Sequence, residues 1–475
     1  MNSQPRKQLH VTFLPYPTPG HMNPMIDTAR LFAKYGTLTS VLDSTTHVIP
    51  FPAAKVGLPD GVENIKDGTT IEKLGKIMHG ISMLKDQIEL QFQDLQPDCI
   101  VSDMMYPWTV ESAAKLGIPR IFFYSSSYFS NCVSHSIRKH RPHESFVSNT
   151  HKFTIPGLSQ TIEMTTLQLP EHLRTKTPMT THFDAMFESE SASYGALYNS
   201  FHELESEYKK LHGSMLGIKS WTVGPVSAWV NKDEQKANRE RKEDLPEEAE
   251  WLKWLNSKKN ESVLYVSFGS LTRLSDAQLV ELAIGLEDSG HSFIWVARKR
   301  DGNENVDIFL KDFAKRMKEN NKGYIIRNWA PQLLILDHPA IGGIVTHCGW
   351  NSILESLNAG LPMVTWPMFA EQFYNEKFLV DVLKIGVPVG AKENMFWASI
   401  GKDALVIRKE ITNAVVKLMG KEESTEMRRR ARELGDASKK TIEEGGSSYN
   451  NLMQLLDELR SLKVSKVLSG KRLDI

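Results

Sequence analysis

The feature that most constrains this chain of 475 residues is an alternation of short apolar runs and longer amphipathic stretches, met once in each half. Residues 9–14 (LHVTFL) form a partly β-branched run closed by the Pro- and Gly-rich turn 15–20. Helical spacing follows, with Asn23 placed as N-cap, Pro24 at the first helical position, Met25, Ile26, Ala29, Phe32 and Ala33 on one face, and Gly36 at the end. The run 99–102, a helix over 107–116 and the strand 120–124 repeat the pattern. The later half does so again: a strand at 263–268, a capping box at 275–278 opening a helix, then strands at 293–297, 324–326, 343–346 and 363–366. Strands that alternate with helices must lie parallel and be covered on both faces, so an α/β chain with two Rossmann-like sheets is expected.

Between the halves, residues 233–250 (DEQKANRERKEDLPEEAE) mix charges with no apolar period. The expected division is therefore a domain over 1–230, a linker or surface loop over 231–250, a second domain over 251–448, and an amphipathic helix and tail over 449–475. Leu452, Leu455, Leu456 and Leu459 give that last helix a face to dock. Lys plus Arg and Asp plus Glu both count 57, so no global charge favours nucleic acid. No window approaches the ~18 apolar residues of a membrane span, and the N-terminus has no apolar leader core. Cys99, Cys132 and Cys348 are too few for a disulfide framework. A cytoplasmic, monomeric protein is the expectation.

Ligands of parallel sheets bind at the carboxyl ends of the strands. There the sequence is densest over 329–372 (WAPQLLILDHPAIGGIVTHCGWNSILESLNAGLPMVTWPMFAEQ). The strand 343–346 runs into His347-Cys-Gly-Trp350, and Asn351-Ser352 opens a helix carrying Glu355. A helix N-terminus with a hydroxyl and an imidazole beside it suits a diphosphate. Trp329 offers a flat face to a base, Glu355 an acceptor to ribose hydroxyls, and Glu371 with Gln372 polar groups to a sugar. Neither G-x-x-x-x-G-K-[ST] nor a G-x-G-x-x-G turn occurs, which disfavours a P-loop NTPase and a nicotinamide-dependent dehydrogenase.

On these residues the chain resembles the plant secondary-product UDP-dependent glycosyltransferases of family 1. The segment 329–372 is similar to their signature box along its whole length, 15–23 to their N-terminal loop and 266–270 to their inter-domain loop. The resemblance implies a GT-B fold, two Rossmann-like domains facing a central cleft with the C-terminal helix docking back. It implies inverting transfer from a UDP-sugar to a small lipophilic acceptor, with neither cofactor nor metal. It further implies that Trp329 stacks on uracil while the Ala330 backbone and Gln332 read its edge, and that Glu355 holds the ribose. Ser270, His347, Asn351 and Ser352 would hold the phosphates, and Trp350, Glu371 and Gln372 would surround the sugar. His21 matches the general base and Asp103 its orienting acid. Ser126 stands near the sugar, where relatives often carry Thr. Residues 48–67, 106–126 and 224–232 look like legume enzymes that glycosylate triterpenoid saponins, with isoflavonoid-acting relatives close by. Gln372 resembles glucose users, whereas His at that place often accompanies galactose.

The residue types suit the chemistry. An alcohol needs a base within hydrogen-bond reach, and imidazole, with a pKa near ~6.5, is mostly neutral at cytosolic pH. A carboxylate on its other nitrogen fixes the tautomer and stabilises the cation formed, as in the hydrolase triad. His135, His140 and His143 beside Glu144 could suggest a metal, but Pro142 breaks their helical face and no H-E-x-x-H occurs, so a polar surface is expected. One departure from the family pattern stands out. Only residues 37–46 intervene after the first helix, enough for one short strand but not for a strand, crossover and return. A rearranged N-terminal sheet, and with it a catalytically impaired UDP-sugar-binding homologue, is the alternative this raises.

Overall fold

In the computed structural model, residues 8–42, 49–65, 70–229, 250–297, 304–327, 329–395, 405–420 and 422–469 are described. The strands of the first half are β1 (His10–Leu14), β2 (Leu38–Val41), β3 (Cys99–Asp103) and β4 (Arg120–Tyr124). A small antiparallel hairpin, β5 (Lys152–Thr154) and β6 (Glu163–Thr165), precedes β7 (Gly195–Tyr198) and β8 (Lys219–Thr222). The second half holds β9 (Val263–Ser267), β10 (Ser292–Val296), β11 (Gly323–Ile326), β12 (Ile341–Thr346), β13 (Met363–Thr365) and β14 (Gly386–Pro388).

The first compact unit comprises Met1–Cys132, Thr175–Trp229 and Lys440–Ile475. Its sheet is parallel in the order β2-β1-β3-β4-β7-β8. Val11, Phe13, Val101, Phe123 and Leu197 meet Phe32 from the helix Pro19–Lys34, and Leu452, Leu455, Leu456 and Leu459 from the helix Ser447–Ser469, in one core. Burying each of those four leucines stabilises the unit by about 2 kcal/mol. Lys463 reinforces the docking, its Nζ 2.6 Å from Asp98.

Two features of this unit differ from the sequence expectation. The first helix begins at Pro19, with Thr18 and not Asn23 as N-cap, and Pro24 lies inside it. Pro19 and Pro24 are equally suited to a helix start, and the amides of His21 and Met22 both bond the Thr18 carbonyl, at 3.0 and 2.8 Å, so the earlier start prevails. His21 is thereby placed in the first turn. The short segment after Gly36 does hold a strand: β2 pairs with β1 from His10↔Leu38 to Phe13↔Val41, and β3 pairs with β1 on its other side. The order and register expected of a doubly wound sheet are kept there, without rearrangement among the described residues.

The second compact unit comprises Val133–Arg174 and Val230–Lys439. Its sheet is parallel in the order β11-β10-β9-β12-β13-β14. Leu282 and Leu286 from the helix Asp276–Asp288, and Ile411, Val415 and Leu418 from the helix Arg408–Met419, close over Phe293, Trp295 and Val345. Ser275 caps the first of these helices by accepting the Gln278 amide at 3.2 Å. The return half of the expected capping box is absent. Gln278 instead clamps Val406 through both ends of its side-chain amide, at 2.8 and 2.9 Å.

Contacts thus group residues 133–174 with the second sheet and the C-terminal helix with the first, a division that does not follow the linear boundaries at 230 and 448. Nearly all of the expected linker, residues 231–249, lies outside the described residues, and Glu250 opens the helix Glu250–Asn256. All three cysteines are buried and unbridged. Among the described residues, no helix is long and apolar enough to cross a membrane.

Candidate active site

Both units present their chemistry where strands end. In the first, β1 leads through the turn into the helix that carries His21, and β3 ends on Asp103. His21 Nδ1 lies 2.9 Å from Asp103 Oδ2. The carboxylate is fully buried, while the imidazole remains 21% exposed. The Met105 amide donates to Asp103 Oδ1 at 3.0 Å, which turns Oδ2 toward the ring. Because a carboxylate only accepts, Nδ1 carries the proton in this pair and Nε2 becomes the basic nitrogen.

The dyad sits in an aromatic setting. The Tyr16 ring lies 5.8 Å from His21 and 5.6 Å from Tyr106, and burial pushes both phenols above their ordinary range. Behind it, the buried Arg120 guanidinium donates to Ser102 Oγ at 2.8 Å, one residue from Asp103. Burial pushes that arginine down to about 9, so it remains a cation at neutral pH.

Of the three serines after β4, Ser125 is the one at the imidazole. Its Oγ is 3.3 Å from Nδ1 and 3.4 Å from Nε2 of His21. Ser126 is 2% exposed and accepts from Ser130 at 3.1 Å. Ser125 was not singled out in the sequence, and its one signal was its place directly after the strand end.

In the second unit, His347 follows β12. An added Cβ on Gly269 would lie 2.6 Å from its Cε1, and one on Gly349 would lie 2.4 Å from its Nε2, so the ring is flanked by two positions that admit only glycine. Gly269 also holds φ of 70°, which favours glycine independently. Burial pushes the imidazole down to about 4, so it is neutral in the physiological range. Its Nδ1 is buried with no hydrogen-bond partner among the described residues. A buried orphan of this kind calls for a ligand or a water. The helix Trp350–Asn358 starts beside it, with Gly349 as N-cap, no side-chain cap and no acidic residue in its first turn, an arrangement suited to an anion.

Gln332 connects the rest. Its Nε2 donates to Glu355 at 2.7 Å and to Ser352 at 3.2 Å, and its Oε1 accepts from Tyr265 and Ser267 at 3.2 and 3.1 Å. This orients the Glu355 carboxylate and the Ser352 hydroxyl together. Trp329, Ser270, Asn351 and Glu371 are half-buried, and Ala330 is buried. Trp350 is 2% exposed and packs 6.3 Å from the Phe378 ring, so its bulk belongs to the core. Gln372 is buried and accepts the Met368 and Phe369 amides at 2.9 and 3.1 Å through Oε1. Two residues that sequence reasoning did not single out hold this loop and the one at Cys348. Asn394 donates to the Ala370 carbonyl at 2.7 Å, and Asn375 donates to the Cys348 carbonyl at 3.0 Å. Asn375 stands four residues after Glu371, a helical spacing that was its only signal.

An imidazole hydrogen-bonded to a buried carboxylate at the end of one Rossmann-like sheet, and a neutral imidazole flanked by two glycines beside a helix start at the end of another, fit a glycosyltransferase of the GT-B class. The family model "UDP-glucoronosyl and UDP-glucosyl transferase" matches residues 73–395, and the chain belongs to that family. It is 50% identical to soyasapogenol B glucuronide galactosyltransferase of Glycine max, with 97% of each chain covered. It is 40% identical to UDP-glucose flavonoid 3-O-glucosyltransferase 7 of Fragaria ananassa, with 97% of this chain and 98% of the relative covered. The crystal structure of Glycyrrhiza uralensis UGT73P12 complexed with glycyrrhetinic acid 3-O-monoglucuronide superposes with a TM-score of 0.91 at 44% identity, covering 98% of each chain. The chain is an enzyme that transfers sugar from a UDP-sugar.

Proposed function

We propose that the enzyme transfers glucose from UDP-glucose, with inversion and without a metal, to a hydroxyl of a triterpenoid glycoside. The 2.9 Å bond between His21 and Asp103 carries this reading. The acceptor hydroxyl gives its proton to His21 Nε2 as its oxygen attacks the anomeric carbon from the face opposite the leaving group. The bond from that carbon to the UDP oxygen breaks, and the sugar's configuration inverts. Asp103 stabilises the imidazolium, and the positive end of the helix Trp350–Asn358, the neutral His347, Asn351, Ser352 and Ser270 meet the charge that collects on UDP. Trp329, Ala330 and Gln332 take the uracil and Glu355 the ribose, so the first domain handles the acceptor and the second the donor.

The acceptor reading rests on two relatives whose names both specify triterpenoid glucuronides. A flavonoid acceptor is the second reading, favoured by the Fragaria relative. For the donor, the likeness of Gln372 to the residue that glucose users carry at this place supports glucose. Galactose is the alternative that the soybean relative favours. The intact dyad and a regular β2 speak against an impaired homologue. We read the protein as a cytoplasmic monomer, consistent with its three unbridged cysteines.

The test is product analysis. The purified chain is incubated with a triterpenoid monoglucuronide or a flavonol and with UDP-glucose, UDP-galactose, UDP-xylose or UDP-glucuronate in competition. A β-linked glucosyl product on the triterpenoid is expected. UDP binding with no transfer to any acceptor would overturn the reading.

A further inference from the structure

We propose that Asn375 is a positioning residue for the sugar half of the donor, a single buried amide that fixes the Glu371 carboxylate and the loop at Cys348 against each other. The two loops that close the sugar end of the cradle each contain a non-glycine residue in the left-handed region, Cys348 with φ of 64° and Ala370 with φ of 52°. Such a conformation persists only where its surroundings hold it. Asn375 is fully buried in the short helix Gln372–Lys377 that follows the second of these loops. Its Nδ2 donates to the Cys348 carbonyl at 3.0 Å and faces Glu371 Oε1 at 3.5 Å. An amide nitrogen carries two protons, so both acceptors are served from one atom. The bond to Cys348 settles the peptide leading from His347 to Trp350. The longer contact restrains the carboxylate that reads the sugar. Distance between the diphosphate clamp and the sugar-reading acid is thus set by a residue that touches neither part of the donor.

The inference rests on the reading that Glu371 faces the transferred sugar, and its test separates the two. Asn375→Ala and the isosteric Asn375→Asp are compared with Glu371→Ala in the full chain. Readouts are KM for UDP-glucose, the inhibition constant of UDP alone, the preference for UDP-glucose over UDP-galactose, and the melting temperature. For Asn375→Ala, KM for the UDP-sugar should rise about tenfold and the preference narrow, with UDP inhibition within about twofold of wild type. Asn375→Asp sets two carboxylates face to face, so its KM should be raised at pH 8 and recover toward pH 5.5 as one of them takes a proton. Adding Asn375→Ala to Glu371→Ala should cost less than Asn375→Ala costs alone, because only the bond to the Cys348 carbonyl is then left to lose.

If Glu371→Ala raises KM but neither Asn375 variant does, the positioning role is overturned while the reading of Glu371 stands. If Glu371→Ala leaves KM and preference unchanged, both fall. Equal weakening of UDP and UDP-sugar binding with a lowered melting temperature would mark Asn375 as merely structural and overturn the proposal.

Discussion

One carboxylate oxygen of Glu205 accepts the backbone N–H of Phe129 at 2.9 Å, and the other accepts the Ser200 hydroxyl at 2.5 Å. A buried acid therefore caps the helix Tyr128–His140, which begins just after the serine that touches His21. Burial pushes this carboxyl up to about 7 from an ordinary 4.5, and it does the same to Glu376 in the other unit. Below pH 4.5 each is protonated whether the chain is folded or not, and no cost arises. Between 4.5 and 7 the unfolded chain gives up a proton that the folded chain keeps, so stability falls as pH rises. Above 7 the cost is complete, about 3 kcal/mol per group. Denaturant midpoints should drop across that window, and Glu205→Gln should flatten the drop. An unchanged profile in this variant would contradict the role given to Glu205.

His21→Ala should abolish turnover while UDP affinity, measured by calorimetry, stays within about twofold of wild type. Asp103→Asn keeps the shape but lets the side-chain amide donate to Nδ1, favouring the tautomer with its proton on Nε2. A loss of about 10²- to 10⁴-fold in kcat is expected, as in the triad. If Asp103→Asn retains full activity, the base is some other group.

Ser125 and Ser126 offer a contrast within one tripeptide. Ser125→Ala removes a hydroxyl beside both ring nitrogens and should lower kcat/KM by about tenfold. Ser126→Ala should cost about 1 kcal/mol of stability through the bond from Ser130 and leave kcat/KM nearly unchanged. Steady-state kinetics beside thermal melts decide the pair, and the reverse pattern would contradict both assignments.

Gly349→Ala should raise KM for UDP-sugar at least tenfold, because the new methyl group would overlap the His347 ring. With that imidazole neutral down to about pH 4, donor KM should also be level between pH 6 and 8. A titration of donor KM with a midpoint near 6.5 would show that His347 charges in the working range and refute this.

Much of this was legible in the sequence where the relevant partners are local. The strand Arg120–Tyr124 was expected with the same bounds, and the donor motif stands at strand ends because phosphate recognition needs a turn, a glycine and a helix start in close succession. What was not legible depends on distant partners. Gln278 has the spacing of a capping box, yet its amide goes to Val406, 128 residues away. Asn375 acquires its role from a carbonyl 27 residues earlier. The helix start was missed for a different reason: Thr18-Pro19 and Asn23-Pro24 are both proper start signals, and only tertiary packing chooses between them. β14 has three residues, too few for any period to register.

The docking of the helix Ser447–Ser469 on the first sheet ties the order of synthesis to the order of folding. As the chain leaves the ribosome, the lobe made first waits for its last four core leucines until almost the whole polypeptide has emerged, whereas the second sheet has all its strands by Pro388. The lobe that begins first is therefore completed last. Loss of the helix Ser447–Ser469 would strip an apolar seam from strands that lie hundreds of residues earlier, so a frameshift after the second sheet should harm the unit that holds His21.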